Sequence, residues 1–533
     1  MKNQPEKKDF SGRPERVRIV NELGQSRTLA SGGGQYEVSG AQPKTLPNVP
    51  PNALHVTLVL GLGPAPEELS ALLGPKNSGS SVYYVECPEF ISQMSTAWHQ
   101  AIPQGWTKIS PTKISPKDVR SLSPARVVIY RPAQSLFPSF WGPILAGLHL
   151  SRICPQGPPA KVREVWLPTA PTDLLRREIS SAFASLGLSP VELDREQAAP
   201  QTMERLRHVR PELFFSLNFH GLDGNGELYH LLRAASIPVA VWCVDNPFHL
   251  LSGLRSPFWK DVPLFVTDDW FIPRLRSMGA RSVHHLPLAA WEGFAAQPLP
   301  ATPRHDKIVF VGSSAFPDKN KFFSGLRLPQ ELTARASALL EQGRVADVDW
   351  PDYGWWLNNL PTETLWPGKA ARLPGFGAEQ SSQAWRAHCV LQAAARLPLR
   401  VHGDAGWLDI LFGKAELAEA VDYYTELPAV YGQARGVLNM TSLLLPHGLT
   451  QRHFDVWMSG GMLLTDVTPG LSIFPQELVR EVCFSRPGEI PALLERIEAG
   501  AGRREEIIRQ WQGVLVEGHM YRHRMERVLG CIA

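Results

Sequence analysis

Short, unbroken apolar runs recur along this chain. Each ends in a turn containing Gly, Pro or Asp, and a stretch with helical spacing follows. Apolar runs of strand length that do not alternate with polar residues belong to parallel strands covered on both faces. The first are 55–60, 82–85 and 126–130, with a helix over 67–73, so 51–157 reads as a small α/β domain. A Pro/Gly break at 154–159 ends it. A second set follows, with strands at 162–167, 190–193, 213–217, 239–244, 264–267 and 283–286 and helices at 173–186, 203–207, 227–235 and 272–278. The proline-rich stretch 291–304 reads as a linker. A third set has strands at 307–311, 399–401, 437–440 and 462–465. Its helices are expected at 329–343, 386–395, 453–458, 490–499, 505–515 and 521–529. The pattern predicts an α/β protein: a Rossmann-like unit, then two doubly wound lobes over 160–300 and 305–533. Residues 1–50 are expected to be flexible apart from a hairpin of 17–20 with 27–30.

Composition narrows the function. Lys and Arg total 54 against 51 Asp and Glu, a net charge of +3. That balance excludes nucleic-acid binding through a bulk electrostatic term, so phosphate recognition must come from a local pocket. The six cysteines are scattered, with no C-x-x-C pair, which fits a reducing cytoplasm. No window reaches the roughly 20 apolar residues that span a bilayer. The apolar stretch 137–150 is short and contains Pro138 and Pro143, so it reads as a buried helix or loop.

The densest chemistry lies between Gly448 and Asp466: a loop, a short helix, a two-glycine turn and a strand ending in an acid. A helix N-terminus presents free N–H groups and partial positive charge, which suit a diphosphate. Gln451 and Arg452 stand where that helix begins, and an arginine fork matches phosphate. Asp455, one turn on, can accept hydrogen bonds from ribose hydroxyls. The competing reading is an amphipathic helix with surface charges.

The same segment resembles the C-terminal lobe of the CgeB-like glycosyltransferases, a branch of the two-lobed GT-B superfamily. The resemblance rests on Gln451-Arg452-His453-Phe454-Asp455, Gly460-Gly461 and Leu463-Leu464-Thr465-Asp466, with Thr450 where that family carries Asn. In order along the chain, Val311-Gly312-Ser313, the turn from Val401 to Trp407, the strand around Asn439 and the closing run from His519 to Arg524 agree with it. The resemblance implies a GT-B fold and roles by position. Gly312 and Ser313 let the backbone approach the donor diphosphate, and Arg452 faces phosphate. Asp455 holds the ribose, Gly460 and Gly461 leave room for the pocket, and His402 and Gly403 border the base or sugar. It also implies metal-free catalysis, with no cofactor beyond the nucleotide-diphosphate sugar itself.

In the middle lobe, the strand 237–244 breaks at Asp245-Asn246-Pro247 and resembles a strand of the same family. Asp245 emerges at a strand's carboxyl end, where a catalytic base belongs; an Asp capping the next turn is the alternative. His220 and His249 are further candidates for deprotonating an acceptor. Asp268-Asp269 reads as a helix start rather than a metal-binding pair. In the first domain, Gly61, Gly63 and Glu86 resemble the first turn and ribose-binding acid of S-adenosylmethionine or dinucleotide folds, with an incomplete glycine fingerprint.

The function expected is transfer of a sugar from a nucleotide-diphosphate donor to a glycan or protein acceptor in the cytoplasm. Open alternatives are a nucleotide-sugar epimerase, a binding protein without turnover, and a methyltransferase centred on the first domain.

Overall fold

A computed structural model describes residues 16–30, 33–40, 56–73, 81–110, 126–154, 157, 159–295, 305–316, 318–345, 349–362 and 364–532. The expected hairpin is present: β1 (Arg16–Val20) pairs antiparallel with β2 (Ser26–Ala30). The flexible reading of 1–50 is corrected in part, because β3 (Tyr36–Gly40) adds antiparallel to the first domain's sheet. Its backbone gains a full ladder there, which the polar sequence does not advertise. Residues 1–15 and 41–50 lie outside the described residues.

That sheet continues with β4 (Val56–Leu60), β5 (Ser81–Val85), β6 (Thr107–Lys108) and β7 (Arg126–Tyr130), in the order β3-β7-β4-β5-β6. The run at 137–150 is part of a helix, Pro138–Ile153, buried along most of its length despite Pro143.

The second sheet is all parallel: β8 (Glu164–Thr169), β9 (Ser189–Asp194), β10 (Leu213–Leu217), β11 (Val239–Cys243), β12 (Leu264–Val266) and β13 (Val283–His285). Its order is β13-β12-β11-β10-β8-β9, so the winding reverses between β8 and β10. The third sheet is also parallel: β14 (Ile308–Val311), β15 (Leu399–His402), β16 (Glu416–Ala418), β17 (Gly436–Asn439), β18 (Leu463–Asp466) and β19 (Cys483–Phe484). Its order, β16-β15-β14-β17-β18-β19, reverses between β14 and β17. Such reversals open a crevice at the strands' carboxyl ends, where open α/β sheets take ligands.

The lobes meet through carboxyl-end loops. Asn246, after β11, donates to the Leu444 carbonyl at 3.0 Å, and the His447 amide donates to Asp268, after β12, at 2.9 Å. Two helices tie them further. Arg372–Ala394 buries its first half beside the second lobe's core, and Tyr521–Ile532 returns from the C-terminus to pack on helix Arg176–Ser185. The expected helix 386–395 is thus only the end of a much longer one. No helix among the described residues is long and apolar enough to cross a membrane.

Candidate functional site

On the second lobe, four neighbouring strand ends deliver a polar cluster. Asn218 and Phe219, after β10, take left-handed conformations (φ +50° and +63°) that turn the chain sharply toward the cleft. Asn218 donates to Asp245, after β11, at 2.7 Å and accepts the Val244 amide at 2.9 Å. His220 Nδ1 stands 3.7 Å from Asp173, which follows β8 and is paired at 2.8 Å with Arg195, which follows β9. Burial lowers His220 below the usual imidazole value, which favours the neutral, proton-accepting form. Asp245 is exposed at the cleft, yet the protein packed around its carboxyl raises it, against the opposing pull of Asn218. The structure therefore brings Asp245 and His220 together.

His249 does not join them. It is buried, its ring lies against Phe322, Phe323 and Tyr353, and Gly375 closes over its Nε2. Burial, with Arg372 nearby, pulls it down to about 3. The expectation that His249 faces the acceptor is corrected: the helix that carries it, Pro247–Leu251, turns it into the seam between the lobes.

On the third lobe, the crevice between β14 and β17 is spanned by Arg452. Its Nε donates to the Val311 carbonyl at 3.0 Å and its Nη1 to Asn439 at 2.8 Å, with the guanidinium 5.2 Å from the Phe310 ring centre. Arg452 thereby braces the Gly312 loop from beneath. A Cβ on Gly312 would meet Arg452, and one on Gly403 would lie 2.6 Å from the Gly312 carbonyl oxygen. Only glycine permits that approach between the ends of β14 and β15. Ser313 is exposed beside it, and Ser314 fastens the two loops by bonding Asp404 through its amide (2.8 Å) and hydroxyl (2.6 Å). His402, half-buried, contacts the Glu419 carbonyl at 3.2 Å.

Four expected positions turn inward. Asp455 is 1% exposed, and its oxygens accept from Tyr423 at 2.7 Å and Gln451 at 2.9 Å, so it is not presented to a ribose. Burial raises its carboxyl well above the usual range. Gln451 is also engaged by the Ala289 carbonyl and the Tyr521 hydroxyl, both at 2.8 Å. Gly460 (φ +68°) and Gly461, packed on the Tyr431 carbonyl, shape the turn into β18 rather than a pocket above Gly312.

A residue outside the expected set fills the gap. Arg386, on helix Arg372–Ala394, reaches the Ser314 carbonyl at 3.4 Å and lies 3.6 Å from Glu379, while its buried Nε has no hydrogen-bond partner. Burial lowers it from its ordinary value, and Arg452 is among its charged neighbours. A single arginine on a helical face carries no signal in sequence; only the fold returns the Ser314 loop to it.

At the seam, Asp268 accepts from the Trp270 amide at 2.8 Å, as a helix start should, and from His447 across the cleft. His447 Nδ1 pairs with Asp269 at 2.8 Å. These three side chains have metal-like spacing, and both Asp268 oxygens also accept amide protons. The group clasps the lobes. In the first domain, Glu86 is 2% exposed and accepts the Leu62 and Cys87 amides at 2.6 and 2.8 Å. Tyr36 and Tyr130 occupy the space above Gly63.

Residues 386–530 match a family model described as glycosyl transferase-like. No curated protein matches the chain. Among solved structures, the chain is similar to an α,α-trehalose-phosphate synthase (UDP-forming) from Burkholderia vietnamiensis, with 10% identity, 90% of this chain and 99% of that chain covered, and a TM-score of 0.36. It is also similar to T4 phage BGT in complex with UDP and Mn2+, with 10% identity, 70% and 99% coverage, and a TM-score of 0.39. The fold rests on the strand orders above, and the family match places the C-terminal lobe in the glycosyltransferase class.

Proposed function

We propose that the protein is a glycosyltransferase of the CgeB-like branch, whose third lobe binds a nucleotide-diphosphate sugar and whose second lobe receives the acceptor. The observation that carries this reading is a polar crevice at the carboxyl ends of each lobe's strands, with loops at those ends joined across the lobes by Asn246 to Leu444 and Asp268 to His447. One crevice offers Arg386, Arg452 and the Gly312–Ser314 loop; the other offers Asp245 and His220.

Arg386 is the cation we assign to the diphosphate, because its Nε is unpaired and its other bonds are long. Arg452 contributes field and holds the loop in place. Charge that develops on the leaving diphosphate is stabilised by preorganised donors in a partly dry cleft. Asp245 or His220 takes the proton from the acceptor hydroxyl as its oxygen bonds the sugar's anomeric carbon and the carbon–phosphate oxygen bond breaks. Asn218 fixes the direction of the Asp245 carboxylate. No step in this scheme calls for a metal ion.

The test is a panel of UDP-, GDP-, dTDP- and CMP-sugars, read by melting temperature and by release of free nucleotide. One nucleotide class is expected to raise the melting temperature, since a ligand of the native state stabilises by mass action. Absence of binding across the whole panel would overturn the reading.

A further inference from the structure

A second concavity lies away from the donor crevice, where the β1–β2 hairpin meets the two lobes. It has a volume of about 670 Å³, within the range of small-molecule sites. Arg27 enters from the hairpin, Arg255 from the loop after helix Pro247–Leu251, and Lys369 and Arg372 from the start of helix Arg372–Ala394. No carboxylate lines it. Over the whole chain acidic and basic residues nearly balance, so four cations without an acid are a local departure.

None of the four is in an ion pair among the described residues. Arg27 donates to Gln25 at 2.7 Å, and Arg372 donates to Ser252 at 3.0 Å while lying 4.2 Å from the Phe322 ring centre. Arg255 and Lys369 are exposed, with no side-chain partner among the described residues. Like charges gathered in a concave site repel one another until an anion relieves them, and such a site focuses potential on an incoming anion. The remaining lining is rich in hydroxyl and amide groups, Thr28 and Ser135 among them, and holds no aromatic side chain. The cavity offers a nucleobase no aromatic ring to stack on, whereas a sugar finds hydroxyl and amide partners. The five-residue helix Pro247–Leu251 links Asp245 to this rim, a span on the order of 10 Å at about 1.5 Å per residue.

We propose that this cavity binds an anionic sugar, its charge carried by phosphate or carboxylate, as the distal part of the acceptor. The proposal rests on the glycosyltransferase reading only in assigning that sugar to the acceptor; binding itself is judged separately.

The experiment is calorimetric titration of the full chain at low ionic strength with a trisaccharide of galacturonic acid, mannose 6-phosphate and neutral maltotriose. The wild type is compared with the double variant Arg255→Ala/Lys369→Ala, whose side chains make no contact that folding needs. At least one acidic probe is expected to bind the wild type, at least tenfold more weakly to the variant, and more weakly as salt screens the site. Preference for the phosphate or the carboxylate probe identifies the source of charge. No acidic probe binding, equal affinity in the variant, or equal binding of maltotriose would each overturn the proposal. Nucleoside diphosphate affinity should be unchanged in the variant; its loss would merge the cavity with the donor crevice and also overturn the proposal. If the wild type binds acidic sugar but no nucleotide, the donor reading fails while this one stands.

Discussion

Two crevices in this molecule share one topology and differ in what fills them. In the first domain β4 lies between β5 and β7, and in the third lobe β14 lies between β15 and β17, so each sheet reverses beside its first parallel strand. Both first strands end in glycine turns. Above Gly61 and Gly63, the crevice is packed with Tyr130, Tyr36 and Trp141. The Tyr36 hydroxyl bonds the Leu62 carbonyl at 2.7 Å and the Trp98 indole bonds the Gly63 carbonyl at 2.8 Å. Glu86 spends its carboxylate on the turn's own amides, and burial pushes it up to about 7. At Gly312, the Arg452 guanidinium and the Phe310 ring close the turn from beneath, Arg386 reaches the neighbouring Ser314 carbonyl, and Ser313 on the other side is exposed. A shared strand order makes the crevice; the side chains returned to it decide whether it receives a ligand.

The comparison can be broken at four points. The largest effect is expected at Asp245, because a general base takes part in the bond-making step itself. Asp245→Asn should leave nucleotide binding intact and slow transfer by about 10² to 10⁴-fold. A base must be ionised to act, and this carboxyl is raised by its surroundings. The acidic limb of the wild-type pH–rate profile should therefore lie above the ordinary carboxylate range and vanish in the variant. Normal turnover in Asp245→Asn would move the role to His220.

Next is Gly403→Val. A side chain there collides with the Gly312 carbonyl and the Trp407 ring, so the paired loops must separate. We expect about hundredfold weaker nucleotide affinity and overpacking of about 1–3 kcal/mol in denaturant titration. Arg386→Ala should cost roughly tenfold or more in affinity for a nucleoside diphosphate, the scale of one charged hydrogen bond, with the melting temperature little changed. Unchanged affinity would remove Arg386 from the phosphate site. The smallest effect is Tyr36→Phe, which removes one hydrogen bond from the closed turn: about 1 kcal/mol of stability and no change in nucleotide binding.

Much of this was legible in the sequence. The central parallel strands of both lobes stand out because they are buried on both faces, whereas the short edge strands β16 and β19 carry too little apolar sequence to do so. Asp245 and Gly312 could be placed at strand ends for that reason. What failed was side-chain direction. Asp455 occupies a motif position that implies a ribose contact, yet Tyr423, 32 residues earlier, claims it. His249 follows Asp245 closely but turns into the seam, where Gly375 lets a helix close over it. Only the end of that helix is visible in sequence, because Pro374, Gly375 and Gly377 look like breakers. The glycines instead allow close packing on His249 and Trp356. Arg386 was invisible for the opposite reason: its neighbour Ser314 is 72 positions away.

The central claim is that the third lobe's crevice, not the first domain's, is the nucleotide site. Hydrogen exchange of the full chain, with and without the nucleoside diphosphate that binds best, tests it most directly. The account predicts slowed exchange over 312–316 and 402–407, with none over 60–64. Protection confined to 60–64, or produced there by S-adenosylmethionine alone, would contradict it.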